Sequence, residues 1–142
     1  MKLKTLLSIM TGLLILVTGL GLLADSAEFV VENLNIYPPS PKLLQPGDKV
    51  KVSFRYQNNY DTKVKVHILP FSDGELTEEY KASKPKTCTP GKGRIKGFFT
   101  TDAERAQIDI LKIRITTIDD EPEILLEKDI TVKYTFRENL PF

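Results

Sequence analysis

The sequence predicts an all-β domain behind an apolar N-terminal segment. Past Glu28 the apolar residues recur with a period of two rather than 3.6. Pro, Gly, Asn and Asp clusters break these runs at short intervals, and no convincing long helical pattern follows the N-terminal segment. About seven strands separated by such turn signals fit an antiparallel β-sandwich.

The chain has 142 residues and opens "MKLKTLLSIMTGLLILVTGLGLLADSAEF". Lys2 and Lys4 precede an uncharged run from Leu6 to Ala24, and small residues follow at Ala24, Ser26 and Ala27. That is the layout of a secretory signal peptide, with cleavage after Ala24 favoured because cleavage after Ala27 puts Asp25 at −3. The run also approaches the ~20 apolar residues that cross a bilayer, so an uncleaved hydrophobic helix acting as a membrane anchor is the alternative. The leading lysines keep the N-terminus cytoplasmic in either case. Residues 28–142 are therefore expected outside the cytoplasmic membrane, whether periplasmic, secreted or tethered to its outer face. No cysteine lies just after the apolar run, which argues against a lipoprotein anchor.

The elements after residue 27 follow in order. "EFVVENLNIYPP" reads as a first strand stopped by Pro38 and Pro39. The turn "QPGD" (Gln45–Asp48) leads into "DKVKVSFRYQ", where Val50, Val52, Phe54 and Tyr56 alternate with polar residues. "NNYD" (Asn58–Asp61) connects to "TKVKVHILP", with Val64, Val66 and Ile68 on one face and Lys63, Lys65 and His67 on the other. "RIKGFFTT" (Arg94–Thr101) is a strand whose Gly97 marks a bulge or a close approach. Thr101 and Glu104 form a capping-box pattern suited to one short helical turn. In "QIDILKIRITTID" the apolar phase slips between Ile110 and Leu111, which predicts a bulge or a strand buried on both faces. After "DDEP" the last strand carries Ile124, Leu126, Ile130, Val132, Tyr134 and Phe136 on even positions.

These elements read as an antiparallel sandwich of Ig-like or fibronectin type III-like architecture, with a small barrel as the structural rival. There is no Trp and no Cys pair, so the marks of antibody-type domains are missing. Between Pro41 and Thr100, "LQPGDKVKVSFRY", "VHILPFSDGEL" and "PGKGRIKGFFTT" resemble the Ig-like β-sandwich modules of secreted and cell-surface bacterial and archaeal proteins. The resemblance implies a fold and a compartment, and it carries over no catalytic residue.

Removing residues 1–27 takes Lys2, Lys4 and Asp25 from 20 basic and 19 acidic residues, leaving 18 of each. A neutral domain gives no global electrostatic case for nucleic acid or an anionic membrane, so membrane contact is expected only through the N-terminal segment. About 115 residues can bury a core without staples, which suits a chain whose single cysteine makes no internal disulfide.

That cysteine, Cys88, lies in "KASKPKTCTPGKGRIKG" (Lys81–Gly97) among Lys81, Lys84, Lys86, Lys92, Arg94 and Lys96. With Tyr80 these residues are the candidate interaction surface for a protein or an anionic envelope polymer. The bland alternative has them neutralised by the acidic stretch Asp73–Glu79. Cys88 is either a buried small hydrophobe or a thiol made reactive by those cations and open to an intermolecular disulfide. A Cys88/His67 dyad needs spatial convergence, and a surface histidine is the simpler reading. No constellation indicates catalysis, a cofactor or a zinc site, and "SDGELTEE" and "IDDEPE" match no EF-hand. Tyr60, Tyr80 and Phe71 are either recognition aromatics or lids on the core edge. The expected function is a non-catalytic extracytoplasmic binding or accessory module. The alternatives are an inhibitor of an extracellular hydrolase, using Pro70–Leu76 or Pro85–Pro90, and a small thiol protein using Cys88.

Overall fold

The computed structural model describes residues 28–138, and the N-terminal segment read as signal peptide or anchor lies outside them. Among the described residues the chain is all β, with two sheets enclosing one apolar core. The strands are β1 (Phe29–Tyr37), β2 (Lys42–Leu44), β3 (Val50–Asn58), β4 (Val64–Ser72), β5 (Glu75–Leu76), β6 (Tyr80–Ala82), β7 (Lys86–Cys88), β8 (Gly91–Thr101), β9 (Arg105–Thr116) and β10 (Ile124–Arg137). Sheet 1 has the order β1-β3-β8-β6, and sheet 2 has β2-β10-β9-β4-β5 with β7 also on β4. Every pairing is antiparallel except β2 with β10, which is parallel.

Ten strands stand where about seven were expected. Four of them, β2, β5, β6 and β7, have only two or three residues, too few for a periodicity count to register. The long strands follow the alternation. On β3, Val50, Val52, Phe54 and Tyr56 are buried, and on β4 Val64, Val66 and Ile68 are buried opposite them. Their register with β9 brings in Leu111, Ile113 and Ile115. Phe99 meets Tyr134 edge-on at 5.9 Å, and Phe29 stacks on Tyr56 at 5.4 Å. The Tyr134 hydroxyl donates to the Pro38 carbonyl, so the most buried tyrosine has a polar partner.

Three local expectations are resolved by the register. Gly97 lies in an unbroken β3–β8 ladder, so it marks a close approach and not a bulge. A Cβ there would sit 2.5 Å from Ser83 Oγ and 2.6 Å from Ile68 Cδ1. The phase slip in β9 lies beside a register shift in which Val132 and Lys133 of β10 stand against Asp109 alone, so a bulge is present but its extra residue is on β10 rather than on β9. The short helical turn after Thr101 is not formed. Thr101 Oγ1 accepts the N–H of Ala103, two residues on, and donates to the Glu78 carbonyl, which makes a bend between β8 and β9.

One edge of the sandwich positions the candidate site. From β4 the chain turns through Asp73 (φ 49°) and Gly74 (φ 87°), the positive-φ pair of a two-residue hairpin, into β5. It then crosses to sheet 1 and lays β6 on Phe99–Thr101 of β8. Ser83–Pro85 returns it to sheet 2, where β7 pairs with Val64–Val66 of β4. The rest of the β8 edge, from Gly91 to Gly97, has no strand beside it on that side among the described residues.

Candidate functional site

The structure divides the eight sequence-predicted residues among three places. Tyr80 and Lys81 lie on β6, and Lys84 lies on the crossing beside them. With His67 and Ile68 they line a shallow cleft of about 370 Å³. Lys86 and Cys88 of β7 face Arg94 and Lys96 of β8 across a groove of about 410 Å³ between the two sheet edges. Lys92 shares a second groove of about 380 Å³ with Arg94, Arg55 and Glu32 on the outer face of sheet 1.

Cys88 sits at the floor of the edge groove and is 1% exposed. Burial pushes its thiol above the ordinary value, and a hydrogen bond with the Tyr56 hydroxyl opposes that rise. The expectation that nearby cations depress its pKa is therefore overturned, because those side chains project from the edges while the sulfur points into the core. Of its two readings, the buried hydrophobe is the one observed. Tyr56 is held in place by Gly93, the β8 residue in register with it. A Cβ on Gly93 would meet the Tyr56 ring and hydroxyl at 2.5–2.7 Å. Burial followed by the adjacent Cys88 raises the Tyr56 pKa.

Asn58 carries structure that sequence reading missed. It is 2% exposed at the end of β3. Its Nδ2 donates to the Thr62 carbonyl at 3.1 Å and to the Cys88 carbonyl at 3.2 Å, and its Oδ1 accepts the Tyr60 N–H at 2.9 Å. One side chain thus ties the β3–β4 loop to β7. Tyr60 packs against the core as a lid.

The outer faces of the two sheets differ electrostatically. On sheet 2, Arg114 pairs with Glu127 at 2.6 Å, while Lys112 pairs with Asp129 at 3.0 Å and Glu127 at 3.3 Å. Lys112 also lies 4.9 Å from the Phe71 ring centroid. On sheet 1 the cross-strand rows place Arg55 opposite Arg94, Gln57 opposite Lys92, Ser53 opposite Lys96 and Lys51 opposite Phe98. Lys49 covers the Phe98 ring at 4.3 Å. Among the described ion pairs none involves Lys51, Arg55, Lys92, Arg94 or Lys96. Glu32 is in register with Arg55 on β1 but outside ion-pairing distance. Like charges directly opposite each other destabilise a sheet, so the Arg55–Arg94 row is a cost that Glu32, in register with Arg55 on its other side, offsets only in part. Tyr37, 66% exposed, borders this face beside Lys51 and Lys96.

The acidic stretch Asp73–Glu79 makes none of the described ion pairs with Lys81–Lys96. Only Lys81 is neutralised, by Asp102 at 2.8 Å. His67 and Cys88 do not converge. Cys88 is in register with inward-facing Val64, whereas His67 lies in the opposite phase and hydrogen-bonds Thr116 Oγ1 at 3.0 Å. Burial, then Arg114 and Lys65, lower the His67 pKa. No group of three or more His, Cys, Asp or Glu converges to hold a metal ion among the described residues.

Lys51, Arg55 and Tyr37 were missed because each reads as ordinary polar decoration of its own strand. A signal was present: both "KVKVSFRY" and "KGRIKG" have polar faces carrying cations and no acid.

No family model matches the chain, and no curated protein matches it in sequence. Among solved structures it is similar to the cupredoxin domain of amoB from Nitrosocaldus yellowstonii. That match has 10% identity and a TM-score of 0.45, covering 82% of this chain and 94% of the other.

Proposed function

We propose that this chain is an extracytoplasmic, non-catalytic binding module of Ig-like architecture whose β3–β8 face contacts an anionic partner, either a protein or an envelope polymer. The observation that carries this reading is the concentration of cations without a described ion pair along the β3–β8 face. At the centre of sheet 2 Lys112 and Arg114 are paired with Glu127 and Asp129, whereas the centre of sheet 1 stacks Arg55 on Arg94 between Lys51, Lys92 and Lys96 with no described ion pair. An anionic ligand would relieve that repulsion, and it would bind in a salt-dependent way. The Ig-like assignment is supported by strand order: β1-β3-β8-β6 corresponds to A-B-E-D, and β10-β9-β4 to G-F-C. The extracytoplasmic assignment is supported by Lys2, Lys4 and the apolar run behind them.

The test is binding of the exported protein to its own envelope fraction across a salt series, beside a Lys92→Glu/Arg94→Glu/Lys96→Glu variant. Binding that falls with salt and is lost in the variant is expected. Binding that the triple charge reversal leaves intact removes the proposal. The burial of Cys88 gives no support to thiol chemistry, and a disulfide to another chain would require its side chain to become exposed.

A further inference from the structure

The free stretch of the β8 edge makes a more specific commitment available. Phe98 donates its N–H to Ser83 Oγ at 3.1 Å and accepts the Ser83 N–H at 3.0 Å, so its backbone groups point away from β3. In an antiparallel strand this direction alternates residue by residue. The N–H and C=O groups of Lys92, Arg94 and Lys96 therefore also point away from β3, past the end of β6. Gly93, Ile95 and Gly97 point theirs into the ladder with Tyr56, Phe54 and Val52. The vacated side opens into the groove whose far wall is β7 and whose floor is Tyr56, Cys88 and Ile95.

We infer that this edge takes up an extended acidic polypeptide segment by strand addition, continuing sheet 1 in line with β6. The inference rests on the anionic-partner reading above and selects a protein over a carbohydrate polymer. A strand laid against Lys92–Lys96 meets three residues' worth of unpaired backbone donors and acceptors, which a polysaccharide cannot match in register. Its alternate side chains would fall on two sides. Those on the outer face would stand beside Arg94 and Lys96 in cross-strand positions, where acidic residues complement the charge. Those on the inner face would enter the groove over Tyr56 and Ile95, where apolar residues fit. The occupant is therefore an extended segment alternating acidic and apolar residues. Lys86 on the far wall adds a further cation with no described ion pair. Charged edge residues by themselves also deter self-association of sheets, so the test must separate recognition from repulsion.

The experiment uses the full chain with three probes: a synthetic decapeptide of alternating Glu and Val, the same peptide N-methylated at alternate residues, and polygalacturonate. Amide hydrogen exchange and affinity are read for each. In the free protein, the amides of Lys92, Arg94 and Lys96 should exchange faster than those of Gly93, Ile95 and Gly97. The unmodified peptide should slow Lys92, Arg94 and Lys96 at least about tenfold, and N-methylation in the pairing phase should weaken binding at least about tenfold, roughly one lost hydrogen-bond pair. If all three probes bind alike, with salt-sensitive affinity lost in Lys92→Glu/Arg94→Glu/Lys96→Glu, strand addition is overturned while the charged-face reading stands. If none of the probes binds, both are overturned.

Discussion

Replacing Arg94 by glutamate separates the cost that the β3–β8 face imposes on folding from its use in binding. In the wild type Arg94 stands directly opposite Arg55. A like-charge pair in that position is destabilising, and an opposite-charge pair contributes about 0.2–1 kcal/mol. Arg94→Glu removes the first and installs the second, so the expected swing is a gain of about 0.4–2 kcal/mol in low salt. Both groups face solvent, which pulls the figure toward the lower end. Screening should shrink the gain steadily, leaving little of it near 1 M salt where the Debye length is about 3 Å. Urea denaturation of wild type and variant at low and high salt reads this directly as a shift in midpoint at constant slope. The same variant should bind envelope fractions less well than wild type. A variant that is less stable at low salt would refute the reasoning, because it would mean that a partner already offsets the arginine pair within the fold.

Other substitutions test the packing behind the face. Asn58→Ala leaves one buried carbonyl and two partly buried groups without partners, so it should cost about 2–6 kcal/mol and accelerate thiol labelling of Cys88; native-like labelling rates would show that Asn58 does not hold β7. Gly97→Ala drives a methyl into Ser83 Oγ and Ile68 Cδ1, and an overpacking cost of about 1–3 kcal/mol is expected in a melting experiment, against none if the strand simply shifts. For His67, burial and the Arg114 and Lys65 charges lower the folded-state pKa, so the unfolded chain takes up its proton first. Stability should fall as pH drops from the ordinary histidine value toward the folded value, and His67→Gln should flatten that segment of the profile; an unchanged profile contradicts the assignment.

The sequence made β3 and β4 legible because their core residues alternate strictly and each strand is long enough to count. Cys88 was not legible in the same way. Its burial depends on β7, three residues that pair with Val64–Val66 only after the chain has crossed twice between sheets. The capping-box pattern at Thr101 misled for a local reason: the hydroxyl serves Ala103 and Glu78, so no helical turn begins there. The cationic face escaped because it is a property of register. Arg55 and Arg94 are far apart in the chain, and only the β3–β8 ladder sets one on the other. The loop-centred view of Lys81–Lys96 was correspondingly too local, since that segment serves both sheets and its cations separate onto an edge, a crossing and a face.

The most direct test of the contact surface is lysine footprinting of the full chain in its own envelope fraction, at low and at high salt. Lys51, Lys92 and Lys96 on the sheet 1 face should be protected from an amine-reactive reagent in low salt and released in high salt. Lys63 and Lys133, exposed elsewhere on the sandwich, should label equally in both. Protection of Lys63 and Lys133 with Lys51, Lys92 and Lys96 left open would contradict the account.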